Sequence, residues 1–188
     1  MKYSDVRIKV YDSHENIKKY PMMRKMFHDP EEPFDTKWVI WFDDDSHVTS
    51  PDWLTRLSHC MRENCGRGYN MFGKRYFYHI NDSQVKWVQG APWYHKVPLE
   101  IHEGVDPRRK KPFKRIRVHF ATGGFWTVES AWLQKWDWPD VRICHNGGDV
   151  MMGEAIHQTG GNVKNWEYGV KISDAKRRGY SEKPAGAK

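Results

Sequence analysis

An α/β domain with a mixed sheet flanked by helices is the fold class this sequence predicts, and three observations predict it. Strand-like runs alternate with helix-like stretches along the chain. One run, Lys37 to Phe42 (KWVIWF), is continuously apolar and short, the pattern of a strand covered on both faces. Trp 10, Tyr 9 and Phe 8 supply large surfaces to bury, although the mean hydropathy is only -0.88.

The length of 188 residues fits one domain with a sizeable core. Residues 1–175 are expected to form it, followed by a polar tail over 176–188 (KRRGYSEKPAGAK from Lys176). In order, 6–11 (VRIKVY) reads as a strand, and 14–27 as a helix that Pro21 interrupts or restarts. After an acid- and Pro-rich loop over 28–36 comes the apolar strand 37–42. Residues 50–62 read as a helix capped by Ser50 with Pro51 at its first position. Two strands with a turn at 81–83 are expected across 72–89, and a loop over 90–117. Residues 118–128 (VHFATGGFWTV) read as strand, tight turn, strand; 129–136 as a short helix; 149–159 as a helix stopped by Gly160 and Gly161.

Composition excludes several classes. No run of about 18 apolar residues exists to span a membrane. The first residues, MKYSDVRIKVYDSHENIKK, lack the apolar segment of a signal peptide, so a cytoplasmic protein without membrane association is expected. Cys 3, odd and low, fits a reducing compartment and argues against a disulfide scaffold. The formal charge of +7 invites an anionic partner.

The apolar strand ends in Asp43, Asp44 and Asp45. Adjacent carboxylates repel, and nothing basic within the triplet offsets them. A hard cation, Mn²⁺ or Mg²⁺, would. Strand ends are also where open α/β sheets place ligands. In extended backbone Asp43 and Asp45 share a side, so they are the expected metal ligands, with Asp44 a secondary contact to the bound ligand. The alternative is a solvated acidic turn.

The stretch KWVIWFDDDSHVTSPDWLTRL (from Lys37) resembles the metal-binding strand of GT-A glycosyltransferases, and most closely that of the Fringe-like β-1,3-glycosyltransferases of glycosyltransferase family 31. Asp12, Ser13, Asn16 and Lys19 resemble the family's segment before that strand. Phe120 to Gly124 (FATGG) is similar to its turn beside donor sugar and acceptor, and Asp149 to Gly153 (DVMMG) to the motif that carries its catalytic base. The order and spacing of the three motifs agree with the family. The resemblance implies a compact, Rossmann-like GT-A domain that is N-terminally abbreviated, because the family's strand–helix–strand unit that grips the nucleotide base would precede Val6. It implies a nucleotide-diphosphate sugar donor, a uridine diphosphate sugar for choice, and a hydroxyl acceptor: glycan, protein or a hydroxymethylated DNA base. Gly123 and Gly124 would line the donor site. Asp174 would replace the family's C-terminal metal ligand. Gly148 stands where the family has an acid.

In that chemistry Asp149 takes the acceptor's proton as general base, which predicts inversion at the anomeric carbon. Capping a helix is its structural alternative, and the two are compatible. Trp126 and Trp93 are candidates to stack on the acceptor; a place in the core is the alternative for each. From Pro107 to Arg117 (PRRKKPFKRIR) the chain is strongly basic, a loop that would attract nucleic acid. Two rival functions remain: a non-catalytic nucleic-acid-binding module, and a metal-dependent nuclease or phosphohydrolase using the triplet. The glycosyltransferase reading requires the acidic triplet and Asp149 to converge on one cavity.

Overall fold

The computed structural model describes residues 6–10, 18–143 and 147–172. The fold is mixed α/β. Its main sheet has the order β1-β5-β3-β6, with β4 also paired to β5. Here β1 is Trp38–Phe42, β3 Tyr69–Ile80, β4 Ile101–Val105, β5 Pro112–Glu129 and β6 Asn162–Asn165. A two-stranded sheet pairs β2 (Ser46–Val48) with β7 (Val170–Ile172). All pairings are antiparallel except β3 with β6. The helices are α1 (Lys19–Phe27), α2 (Trp53–Asn64), α3 (Asp82–Gln89), α4 (Ser130–Lys135) and α5 (Gly148–Gln158). No helix among the described residues is long and apolar enough to cross a membrane.

Strand β5 organises the molecule. Along one edge it pairs with β3 for most of its length; along the other it pairs with β4 at its start and β1 at its end. Both faces of β1 are packed, as its sequence predicts. Val39 and Trp41 enter the larger core cluster, while Trp38, Ile40 and Phe42 pack against a smaller one around Leu57, Met61, Phe72 and Phe125. Trp41 stacks on Trp126 at 6.1 Å and 16°.

Four expectations are corrected. Residues 6–10 are described without strand structure; of the helix expected over 14–27, residues 14–17 lie outside the described residues, and α1 runs from Lys19 with Pro21 in its first turn, where the missing N–H costs nothing. Gln84 to Gln89 is helical, not extended: Asn81 accepts from the Gln84 N–H at 3.0 Å, and the Gln84 side chain accepts from the Asn81 N–H at 3.0 Å. The basic segment is largely not a loop. β4 and β5 form a hairpin whose tip, 106–111, is tied by Asp106. Finally, residues 118–128 contain no turn, and β5 runs through Gly123 and Gly124 unbroken.

It does so by bulging. On β3 the register passes from Gly73 to Arg75; on β5 it passes from Trp126 to Ala121 across the same interval. Residues 122–125 therefore bow out of the ladder. A Cβ on Gly73 would lie 2.8 Å from Ala121 Cβ and 2.9 Å from the Phe125 carbonyl oxygen, so only glycine fits opposite the bulge.

Helix α5 lies hard against β5. A Cβ on Gly153 would sit 2.1 Å from the His119 carbonyl oxygen and 2.7 Å from Phe120 Cβ. Gly153→Ala gains about 1 kcal/mol of helix propensity but overpacks this contact by about 2–3 kcal/mol or more. The expected net result is a Tm lowered by roughly 2–8 °C, measured by circular dichroism. An unchanged Tm would show that the helix seats itself elsewhere.

Candidate active site

The last pair of the β1–β5 ladder is Phe42 with Phe125, and one further bond, from the Asp43 N–H to the Gly124 carbonyl at 2.9 Å, carries the strand to the triplet. The chain then turns, the Ser46 N–H donating to the Asp43 carbonyl at 3.0 Å. Asp44 and Asp45 occupy this turn, so strand alternation does not relate Asp43 to Asp45 as the sequence suggested. Asp44 is exposed and Asp45 half-buried, one of its carboxylate oxygens being buried.

Asp43 is engaged. Its carboxylate accepts from Trp41 Nε1 at 2.6 Å and from Lys19 Nζ at 2.8 Å. Lys19, the first residue of α1, also donates to the Gly123 carbonyl at 2.5 Å. Its side chain is 23% exposed and that of Asp43 16%, so the pair is poorly screened by water. The β5 bulge brings the Gly123 carbonyl to this ammonium.

Asp149 approaches Gly123 on the same side as Lys19. A Cβ on Gly123 would lie 3.0 Å from Lys19 Nζ and 3.6 Å from Asp149 Oδ2. No left-handed turn calls for glycine here, since neither Gly123 nor Gly124 has positive φ; a side chain at 123 would press on the Lys19 ammonium. A Cβ on Gly124 would meet Ile172 Cδ1 at 2.8 Å. Asp149 lies in the first turn of α5, after Gly147, whose φ of 79° suits glycine. Burial raises the Asp149 carboxyl above its ordinary value of 3.8; the Lys19 charge and backbone N–H groups of Val150 and Gly123 oppose the rise without cancelling it.

Tyr20 completes the site, and sequence reasoning missed it. Its hydroxyl accepts from the Asp149 N–H at 3.0 Å. A Cβ on Gly148 would fall 2.2 Å from the Tyr20 ring, so the ring leaves room for glycine alone at that position. Tyr20 also borders a cavity of about 440 Å³ lined by Arg24, Lys25 and His28 of and just beyond α1, with Pro139 and Val141 opposite.

The other expected site residues are distributed as follows. Trp126 and Trp93 are 2% and 3% exposed, so both are core residues and neither offers a ring face to an acceptor. Asp174, Asp12, Ser13 and Asn16 lie outside the described residues. Among the described residues no three His, Cys, Asp or Glu side chains are grouped as a metal cage. Asp43 is already engaged by Lys19 and Trp41, so within the triplet Asp45 would be the carboxylate to hold a divalent cation alongside a substrate's phosphates.

Compared with protein-family models, curated proteins and solved structures, the chain matches none.

Proposed function

We propose that the chain is a nucleotide-sugar-dependent glycosyltransferase of GT-A type that inverts the anomeric carbon, with Asp149 as general base. The observation that carries this reading is the meeting of the Asp43–Lys19 pair and Asp149 around Gly123. The likeness of FDDD, FATGG and DVMMG to the Fringe-like motifs supports it, since all three contribute to this one place.

The geometry divides the labour. Asp149, whose burial raises its pKa above the ordinary carboxylate value, is a stronger base than an exposed aspartate and would take the proton of an acceptor hydroxyl. As that oxygen bonds to the anomeric carbon, the bond to the diphosphate breaks on the opposite side. The Lys19 ammonium, between Asp43 and the Gly123 carbonyl, holds the strand end and the bulge in register and lowers the field of two carboxylates around the sugar. Tyr20 fixes the first turn of α5, and with it the Asp149 backbone. A divalent cation bound by Asp45 and the donor's phosphates would supply Lewis-acid stabilisation of the departing diphosphate.

The test is a screen of nucleotide-sugar hydrolysis and transfer with Mn²⁺ and Mg²⁺. Asp45→Ala is expected to lose metal-dependent donor binding. Asp149→Asn is expected to bind donor normally and fail in transfer. Wild-type transfer by both variants overturns the assignment, and cleavage of nucleic acid or nucleotide without sugar transfer replaces it with a phosphohydrolase.

A further inference from the structure

Below the bulge, one face of the sheet carries rings and cations in place of the usual mixed polar surface. Register puts Phe77 opposite His119, His79 opposite Arg117, and His102 opposite Arg115. These side chains touch one another. Phe77 lies 5.5 Å from His79 and 6.1 Å from His102; His102 meets Phe113 at 5.3 Å; His79 and His102 are joined by a 2.8 Å hydrogen bond. The Arg115 guanidinium lies 5.3 Å from the Phe113 ring centre and that of Arg117 5.8 Å from Phe77. Phe113 lies across Gly104, where a Cβ would stand 3.0 Å from its ring. Phe77 is 52% exposed, although a large apolar ring on a sheet is ordinarily covered.

The charge around this face is unbalanced. Glu100 is taken by Arg117 and His119, and Glu103 by Lys114. Asp106 accepts the backbone N–H groups of Arg108 and Arg109. Among the described residues this leaves Arg108, Arg109, Lys110, Lys111 and Arg115 without an ion-pair partner. Burial, the neighbouring His102 and the two arginines hold His79 below its ordinary pKa, so the imidazole is a neutral planar group at pH 7.

We infer that this face binds single-stranded nucleic acid. The exposed Phe77 ring, set among half-buried rings and guanidinium groups, answers a chain of phosphates that carries unstacked bases: the ring takes a base face and the cations take phosphates. A duplex hides its base faces, leaving Phe77 without a partner. The inference does not depend on the transfer reading, because it uses none of Asp43, Lys19 or Asp149.

Fluorescence anisotropy of a labelled oligothymidylate of about 15 nucleotides tests it on the whole chain. Phe77→Leu, which keeps apolar bulk and loses the ring, is expected to weaken binding about tenfold, and Phe77→Trp to preserve it. Phe113→Leu should weaken binding similarly. Arg115→Ala should reduce the slope of log affinity against log salt by about 0.7, the loss of one phosphate contact to a single strand. Unchanged melting of Arg115→Ala separates lost contact from lost fold. Leucine variants at both positions that bind as wild type does would overturn the inference. So would equal affinity for a duplex of the same length, or for vesicles of anionic lipid.

Discussion

Asp149→Asn is expected to reduce sugar transfer by about 10²–10⁴-fold and, in the same protein, to raise the Tm at neutral pH. Both effects come from burial. In the folded chain the carboxyl titrates above its ordinary value of 3.8, with desolvation the largest cause. A group raised in this way contributes stability that is fully present below its unfolded pKa and is lost as pH rises through the folded one. At neutral pH this carboxyl is therefore a net cost to folding, which the neutral amide removes. Tm measured from pH 4 to pH 8 should show the variant's advantage growing with pH. The wild-type rate should fall as pH drops through the raised pKa, placing the acid limb of the profile above the ordinary carboxylate range. A variant that transfers sugar normally, or that is less stable than wild type at pH 8, contradicts the role of this carboxylate.

Lys19→Met is expected to damage both binding geometry and stability. The substitution keeps an unbranched stem and removes the charge shared by Asp43 and the Gly123 carbonyl. Breaking a fully buried pair costs about 3–5 kcal/mol; this one retains some water, so a loss of about 1–3 kcal/mol is the scale, or roughly 2–12 °C in Tm. The same ammonium lowers the Asp149 pKa, so its removal moves the acid limb of the rate profile to higher pH. That shift separates an electrostatic role from a merely structural one. A normal pH profile with a depressed Tm would reduce Lys19 to a strut.

Much of the framework was legible, and the failures have identifiable causes. The apolar run WVIWF after Lys37 announces β1, because five consecutive apolar residues have nowhere to go but between two packed layers. QVKWVQ alternates and so resembles a strand; the capping box from Asn81 to Gln84 was the stronger signal and it won. The glycine pair at 123 and 124 reads locally as a turn, yet what bears on the two positions is Lys19 and Ile172, which approach them from distant parts of the chain. No local pattern encodes such neighbours. The hairpin from 101 was hidden by Pro107, Pro112 and dense charge, which suit a loop; its pairing comes from the alternation of Ile101, Glu103 and Val105 against Pro112, Lys114 and Ile116. Asp43, Gly123 and Asp149 were each singled out in the sequence. Tyr20 was not, because an aromatic residue in the first turn of a helix looks like any other.

The bulge in β5 has a consequence for what evolution or mutagenesis can do to this chain. Side chains along a strand alternate sides, so removing a single residue between Ala121 and Trp126 would reverse the phase of everything on one side of the cut. Either Arg115, Arg117 and His119 would turn toward the interior, or Trp126 and Val128 would be expelled from it. The number of residues in this segment is thus held as firmly as their identity.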